Sequence, residues 1–118
     1  MNAEDTRPVD AARAARLTKN EAVFREVNER VQALNDFGAQ AESFSVVCEC
    51  GQDTCADVIQ VNRDFYETVR AQSDRFIVVD GHVFPEIETV VEQHEGFVVV
   101  DKHDGIPEKI AAQTDPRA

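Results

Sequence analysis

The chain has 118 residues, of which 42% are hydrophobic and 30% are charged, a balance typical of one globular domain with its own core. Its 23 acidic and 12 basic residues give a net charge of −11, which disfavours binding to nucleic acids and to anionic membrane surfaces. No apolar run is long enough to span a membrane and no secretory signal opens the chain, so we expect a cytoplasmic protein with reduced thiols.

Composition divides the chain into a leader, a domain and a tail. Residues 1–16 are polar and are predicted to form a partly flexible leader. Residues 17–113 are predicted to form a single α+β domain, and residues 114–118 a polar tail. We find no internal repeat and no low-complexity tract in the sequence.

The first predicted element is a helix. Thr18 and Glu21 have the spacing of a capping box, in which each side chain satisfies the other residue's free backbone N–H group. This spacing predicts a helix start at Thr18, although Asp10 is an alternative, earlier N-cap. The dipeptide Phe37-Gly38 is typical of a helix C-terminus.

Four apolar side chains of this helix share one face at 3-4-3 spacing: Phe24, Val27, Val31 and Leu34. Arg25 is predicted to point away from that stripe. Two heptads are too short for a stable isolated coiled coil, which favours packing on the protein's own sheet. The alternative is that the stripe binds an unknown protein partner or a second copy of the chain.

Short β-rich runs follow the helix. Residues 44–48 and 58–61 are predicted to be strands, with the octet CECGQDTC at the tip of the hairpin between them. Asn62 is a suitable N-cap for the next helix, RDFYETVRAQS. Residues 75–79 form a third predicted strand, expected to be central because four consecutive residues in it are apolar.

The C-terminal part is predicted to contain a short helix, a strand and a final helical turn. Pro85 suits a first helical position, and the side chains that would then share one face are Ile87, Val90, Val91 and His94. Residues 97–100 read as a fourth buried strand, and Pro107 opens the last helical turn. We therefore predict an α+β fold with a mostly antiparallel sheet of about four strands, an N-terminal helix, one or two further helices and a zinc-ribbon-like hairpin tip.

All three cysteines lie in the octet, as C-x-C-x4-C: Cys48, Cys50 and Cys55. Zinc prefers a tetrahedron of thiolate and imidazole ligands, and iron also binds thiolate-rich sites. Gly51 would allow close approach and a positive φ in such a turn. The spacing predicts three ligands of a metal site, because buried cysteines that act only as small apolar residues would not cluster in a polar tip.

A fourth ligand is needed, and we favour His82. This histidine follows the third strand directly after Asp80-Gly81, where the strand breaks next to the hairpin tip. The alternatives are His94, His103 or a nearby carboxylate. Glu49 points to the opposite strand face from its cysteine neighbours and is a poor candidate for a catalytic base.

Two other chemistries remain open from the sequence. The clustered thiols could form a reversible disulfide in a redox-responsive protein, or one cysteine could act as a nucleophile with His82. The chain contains no H-E-x-x-H, P-loop, G-x-G-x-x-G or G-x-S-x-G motif. A metal-binding interaction or regulatory module, rather than an enzyme, is therefore the favoured interpretation.

Four segments together resemble a group of short, largely uncharacterised actinobacterial proteins: NEAVFREVNERV (20–31), FSVVCECGQDTC (44–55), RFIVVDGH (75–82) and VVEQHEGFVVVDK (90–102). The group's pattern, C-E-C…C followed by G-H, would match Cys48, Cys50, Cys55 and His82. The resemblance implies a cytoplasmic, bacterial protein and no particular reaction. The chain departs from the pattern at Asp80, where such proteins often have proline.

Overall fold

The computed structural model describes residues 10–117, so the first nine residues of the predicted leader and Ala118 lie outside the described part of the chain. The elements in chain order are α1 (Ala11–Phe37), β1 (Ser43–Val47), β2 (Val58–Asn62), α2 (Arg63–Arg70), β3 (Arg75–Val79), β4 (Glu88–Gln93), β5 (Phe97–Lys102) and α3 (Ile106–Gln113). This order confirms the predicted α+β class. The predicted helices after Asn62 and at Pro107 are α2 and α3.

Helix α1 begins earlier than the capping-box spacing predicted. Its N-cap is Asp10, whose carboxylate accepts a hydrogen bond of 3.1 Å from the backbone N–H of Arg13. Thr18 is buried in the second turn, and its hydroxyl donates to the carbonyl of Ala14 at 2.8 Å instead of capping a helix end. The prediction of a start at Thr18 was therefore wrong. The predicted stop is confirmed, because α1 ends at Phe37, directly before Gly38.

The face of α1 that packs against the rest of the protein is unusually polar, and its buried polar residues are Thr18, Glu21, Arg25, Asn28 and Gln32. Arg25, which we predicted to point outward, is 1% exposed. Its guanidinium donates to the carbonyls of Ser73 at 2.6 Å and Ala111 at 2.8 Å and lies 4.6 Å from the centre of the Phe76 ring. The prediction for Arg25 was wrong because these remote carbonyls and the Phe76 ring give the guanidinium polar and cation–π partners inside the protein.

The predicted apolar stripe of α1 is split between two environments. Phe24 and Val31 are half-buried, and Val31 packs against the core. Val27 and Leu34 are exposed. The helix therefore does not bury the four side chains as one unit against the protein's own sheets.

The strands form two antiparallel sheets, not one sheet of about four strands. β1 and β2 form a hairpin in which Val47 lies opposite Val58. The other three strands have the order β3-β5-β4, so β5 is central and β3 is an edge strand. β3 was predicted to be central because four consecutive residues in it are apolar, and three of them, Phe76 to Val78, are indeed fully buried. Edge position and full burial coexist because α2 and the segment after β1 cover this strand.

The predicted helix after Pro85 is wrong. The chain makes a turn closed by a hydrogen bond of 3.0 Å from Ile87 N–H to the Phe84 carbonyl, and then forms strand β4. A bulge between Val90 and Glu92 shifts the register of β4 against β5. Because a bulge interrupts the two-residue alternation of a strand, the apolar spacing in this segment resembled that of a helix.

Candidate metal centre

The loop between β1 and β2 carries the three cysteines. The backbone N–H of Cys48 donates to the Asp57 carbonyl at 2.8 Å, which extends the hairpin by one pair beyond β1. The N–H of Cys55 donates to the Gln52 carbonyl at 3.1 Å and closes a turn that brings the third cysteine back toward the first two. The loop is thus a folded end of the hairpin, and its likeness to a zinc ribbon stays a prediction.

Glu49 holds the start of this loop inside the protein. Its backbone N–H donates to the carbonyl of Ile77 at 2.8 Å, and its carboxylate accepts from the N–H of Ile77 at 2.9 Å. The same carboxylate accepts from Asn28 of α1 at 2.7 Å and from two guanidinium nitrogens of Arg70 in α2. Because Cys48 and Cys50 flank Glu49, these bonds fix the backbone on which two of the thiols stand.

Gly51 permits the loop to pack closely against α1. A Cβ atom at this position would lie 3.0 Å from Leu17 Cδ2 and 3.2 Å from Phe84 Cε2. Asn20 also donates to the Gly51 carbonyl at 2.9 Å. The glycine thus permits a close approach to side chains of α1 and of the segment after β3, whereas the prediction concerned an approach to the sulfurs. The predicted positive φ is wrong, since Gly51 is not among the positive-φ residues of the described chain.

A tight turn after β3 presents the histidine. The N–H of His82 donates to the Val79 carbonyl at 2.9 Å, and Gly81 has a φ of +87°, which favours glycine. Asp80 donates its N–H to the carbonyl of Gly96 at 3.1 Å, at the β4–β5 turn. Asp80 is therefore accommodated in a hydrogen-bonded turn that directs His82 toward the cysteine loop.

The four predicted ligands lie together: Cys48, Cys50, Cys55 and His82. Their ligand atoms are all within 4.8 Å of one another, and His82 Nδ1 is 3.6 Å from the sulfurs of both Cys48 and Cys55. In a tetrahedral zinc site with Zn–S bonds of about 2.3 Å and Zn–N bonds of about 2.0 Å, sulfur and nitrogen ligands are about 3.5 Å apart. The cluster is therefore close enough to bind a metal ion.

The environment of the cluster differs between its two halves. Cys48 and Cys50 are fully buried, and burial raises the pKa of both thiols. The N–H of Val79 donates to the Cys48 sulfur at 3.1 Å and partly opposes that rise. Cys55 and His82 are half-buried and line a cavity of about 300 Å³. The buried half is thus fixed by the core, and the other half borders solvent.

Asp57 lies behind the histidine. Its Oδ2 atom is 3.6 Å from His82 Nε2, on the side of the ring opposite the Nδ1 atom that faces the sulfurs. Histidines that bind metals commonly have a carboxylate next to their second ring nitrogen, which orients the ring. Asp57 is placed to act in this way, although no spacing rule relates it to His82 in the sequence.

The two alternative histidines lie elsewhere. His94 stacks on Phe97 with ring centres 4.8 Å apart, and its Nε2 atom is 2.9 Å from Glu92 Oε1. His103 Nε2 is 2.9 Å from the hydroxyl of Thr89. Neither belongs to the cysteine cluster. Between residues 10 and 117, that cluster is the one group of three or more cysteine, histidine or acidic side chains close enough to hold a metal ion.

No known protein family, curated protein or solved structure matches this chain. None of the helices described between residues 10 and 117 is long and apolar enough to cross a membrane. The cysteine–histidine cluster is therefore the structural feature that points to a function.

Proposed function

We propose that the chain is a small zinc-binding protein of the cytoplasm, with an interaction or regulatory role, and that Cys48, Cys50, Cys55 and His82 are the zinc ligands. The observation that carries the proposal is the convergence of one imidazole and three thiols, with two S···N distances of 3.6 Å. Three free thiols next to one another also suit a reducing compartment. The lineage remains a proposal as well: these four residues are the ones that match the actinobacterial pattern.

The zinc would be structural rather than catalytic. Four protein ligands complete a tetrahedron and leave no position for water or substrate. Cys48 and Cys50 are fully buried, so a reacting molecule could not reach the ion from their side. Iron is the competing metal, because thiolate-rich sites bind both.

The ion would join the β1–β2 loop to the turn after β3. The main core contains Cys48 and Cys50 together with residues from β1, β2, α2, β3 and β5, and the Glu49 contacts hold the loop independently of any ligand. A metal would therefore stabilise Cys55 and His82, the two less buried ligands, more than the fold as a whole. Removal of the ion should loosen this end of the protein without unfolding it.

The redox alternative has less support. Thiolates, not thiols, attack disulfides and oxidants, and burial raises the pKa of Cys48 and Cys50. Cys55 is the most solvent-accessible of the three cysteines. Its sulfur lies 3.6 Å from His82 Nδ1, in the same cluster as the other predicted ligands. The geometry thus favours shared ligation over a reactive thiol.

The test is a metal count. The full chain would be purified without added zinc, and its metal content measured by elemental analysis and native mass spectrometry. We expect one zinc per chain, with strong loss in Cys50→Ser and in His82→Ala. His94→Ala and His103→Ala are matched controls that should keep the metal. Replacement of zinc by Co²⁺ should give the absorption bands of thiolate ligation.

Other results would contradict the proposal in identifiable ways. Metal-free protein that also fails to take up zinc or Co²⁺ would exclude the site. A reversible disulfide between two of the three cysteines in such protein would favour the redox function. A coloured protein with stoichiometric iron would keep the ligand set and change the metal.

A further inference from the structure

Helix α1 exposes a line of apolar side chains on the side away from the core. Val23 is 60% exposed, Val27 40%, Leu34 70% and Phe37 92%. We call these four residues the α1 seam. Such values are high for neighbouring apolar side chains on one helix, since exposed apolar residues usually occur singly.

The spacing of the seam is that of a helix that packs against another helix. Val23, Val27, Arg30, Leu34 and Phe37 follow one another at intervals of 4, 3, 4 and 3 residues, the heptad repeat of an a/d seam. Beside the seam, a surface groove of about 640 Å³ runs between Lys19 and Arg30 and is bordered by Thr114. The surface therefore has a groove beside the N-terminal half of the seam and two exposed side chains, Leu34 and Phe37, at the C-terminal half.

We propose that the α1 seam binds the same seam of a second copy, with the two helices antiparallel. In this arrangement Leu34 and Phe37 of one copy occupy the groove of the other, next to Val23 and Lys19. A two-fold axis makes the contact reciprocal, so that both grooves are filled. An axis of this kind pairs residues that lie at equal distances on either side of it along the helix. The midpoint between Val23 and Leu34 and the midpoint between Lys19 and Phe37 fall within one residue of each other on α1, so one axis satisfies both contacts.

Two charged side chains, Arg30 in line with the seam and Glu26 next to it, favour this occupant and this direction. Glu26 and Arg30 lie one turn apart on α1, with 3.7 Å between their charged groups. The same two-fold axis places Glu26 of each copy opposite Arg30 of the other. Parallel helices would instead bring Glu26 near Glu26 and Arg30 near Arg30. Opposite charges across a helix pair set partner choice and orientation.

The short length of the seam is no obstacle in the folded protein. An isolated two-heptad coiled coil is unstable because its helices must form at the same time as they associate. Here α1 is already held as a helix by the buried contacts of Arg25 and Asn28 on its opposite face. Association then requires only the docking of two preformed surfaces.

The experiment measures the mass of the full chain in solution by sedimentation equilibrium over a dilution series. The ionic strength would be about 0.15 M, where screening limits repulsion between two acidic copies. We expect twice the 13.2 kDa of the single chain at the higher concentrations. Leu34→Glu and Phe37→Ser should each give the single-chain mass. Val58→Glu, at a 61% exposed apolar position of β2, is the control and should leave the dimer intact.

Charge reversal tests the direction of the helices. Glu26→Arg and Arg30→Glu should each weaken the dimer, and the double variant, which restores opposite charges across the axis, should recover it. Single-chain mass at every concentration would overturn the proposal. The seam would then be covered by something other than a second copy. A dimer that survives Leu34→Glu, or a double variant that does not recover, would overturn it as well. None of these readouts depends on the metal site.

Discussion

Glu49 and Arg70 form a paired carboxylate and guanidinium in the interior, with N···O distances of 2.9 and 3.3 Å and side chains 0% and 1% exposed. The pair joins the cysteine loop to α2. Arg70 also donates to the Arg75 carbonyl at 3.0 Å, so the same guanidinium contacts the start of β3. A buried ion pair thus fixes the backbone between Cys48 and Cys50 and supports the candidate metal centre from the interior of the protein.

Glu49→Gln should destabilise the protein strongly. The change leaves the Arg70 charge buried without its counter-ion, a loss that typically lowers the free energy of unfolding by about 3 kcal/mol or more. Urea unfolding of the metal-free protein, followed by circular dichroism, would measure the effect. Glu95→Gln, at an exposed position in the β4–β5 turn, is the control and should change stability by about 0.5 kcal/mol or less. Equal effects of the two variants would contradict the role of the pair.

Asp57→Asn should weaken zinc binding by about 10-fold without abolishing it, because the carboxylate near His82 Nε2 orients the imidazole. Competition with a chromophoric chelator would give the affinity. Asp53→Asn, an exposed carboxylate in the same loop, is matched in charge and should bind zinc as the unaltered chain does. An affinity unchanged by Asp57→Asn would show that the contact does not orient the ring.

Gly51→Ala should lower the free energy of unfolding by about 1–3 kcal/mol, since the added methyl group meets Leu17 at 3.0 Å in a packed interior. Gly38→Ala is a suitable comparison. There the new Cβ has one close neighbour, the Leu34 carbonyl oxygen at 3.3 Å, and φ is negative. Thermal unfolding of both variants would separate crowding from the general effect of replacing glycine, and a larger loss in Gly38→Ala would contradict the packing argument.

A second buried ionic group lies between α1 and the three-stranded sheet. The Lys102 ammonium contacts the carboxylates of Glu21 and Glu88, and all three side chains are fully buried. Glu88 also accepts from the N–H of Phe84 at 2.9 Å. Burial raises the pKa of Glu88 to about 7 and lowers that of Lys102 to about 6. In the acidic range Glu88 therefore carries its proton beside the charged ammonium of Lys102.

Glu88→Gln should remove a pH dependence of stability. The folded pKa of Glu88 is raised, so its contribution is full below its ordinary pKa of 4.5 and is lost as the pH rises toward 7. Lys102 acts in the opposite direction, but only above pH 6. Between pH 5 and 6 the metal-free protein should therefore lose up to about 1.4 kcal/mol more stability than Glu88→Gln does. Urea unfolding at both pH values measures this, and Glu42→Gln, an exposed control, should follow the unaltered chain.

The candidate site could be predicted from the sequence because its signals are local. The three cysteines lie within eight residues and therefore in one loop, and Gly81-His82 marks a turn at the end of a strand. The hairpin pairing of β1 and β2 and the turn after β3 then bring the two segments together. The supporting residues were not predictable, since Glu49 and Arg70 are 21 positions apart and nothing in their spacing indicates a contact.

The orientation of α1 could not be predicted for a related reason. Hydropathy assigns apolar side chains to the core, yet α1 buries Arg25 and Asn28 and exposes Leu34 and Phe37. The buried polar groups find partners on segments 19 to 86 residues away, at Val47 and Ala111 among others. Such partners exist only in the folded chain, so a rule based on periodicity does not identify the face that is buried.

The Glu49 contacts have a consequence for how the protein avoids association through its sheets. β3 is an edge strand whose sequence, RFIVV, is apolar after Arg75, and an open edge of this kind can pair with a strand of another molecule. Its outward backbone groups are already engaged: both groups of Ile77 by Glu49, the N–H of Val79 by the Cys48 sulfur and the carbonyl of Arg75 by Arg70. The cysteine loop is therefore also a cap that closes this edge to β-aggregation.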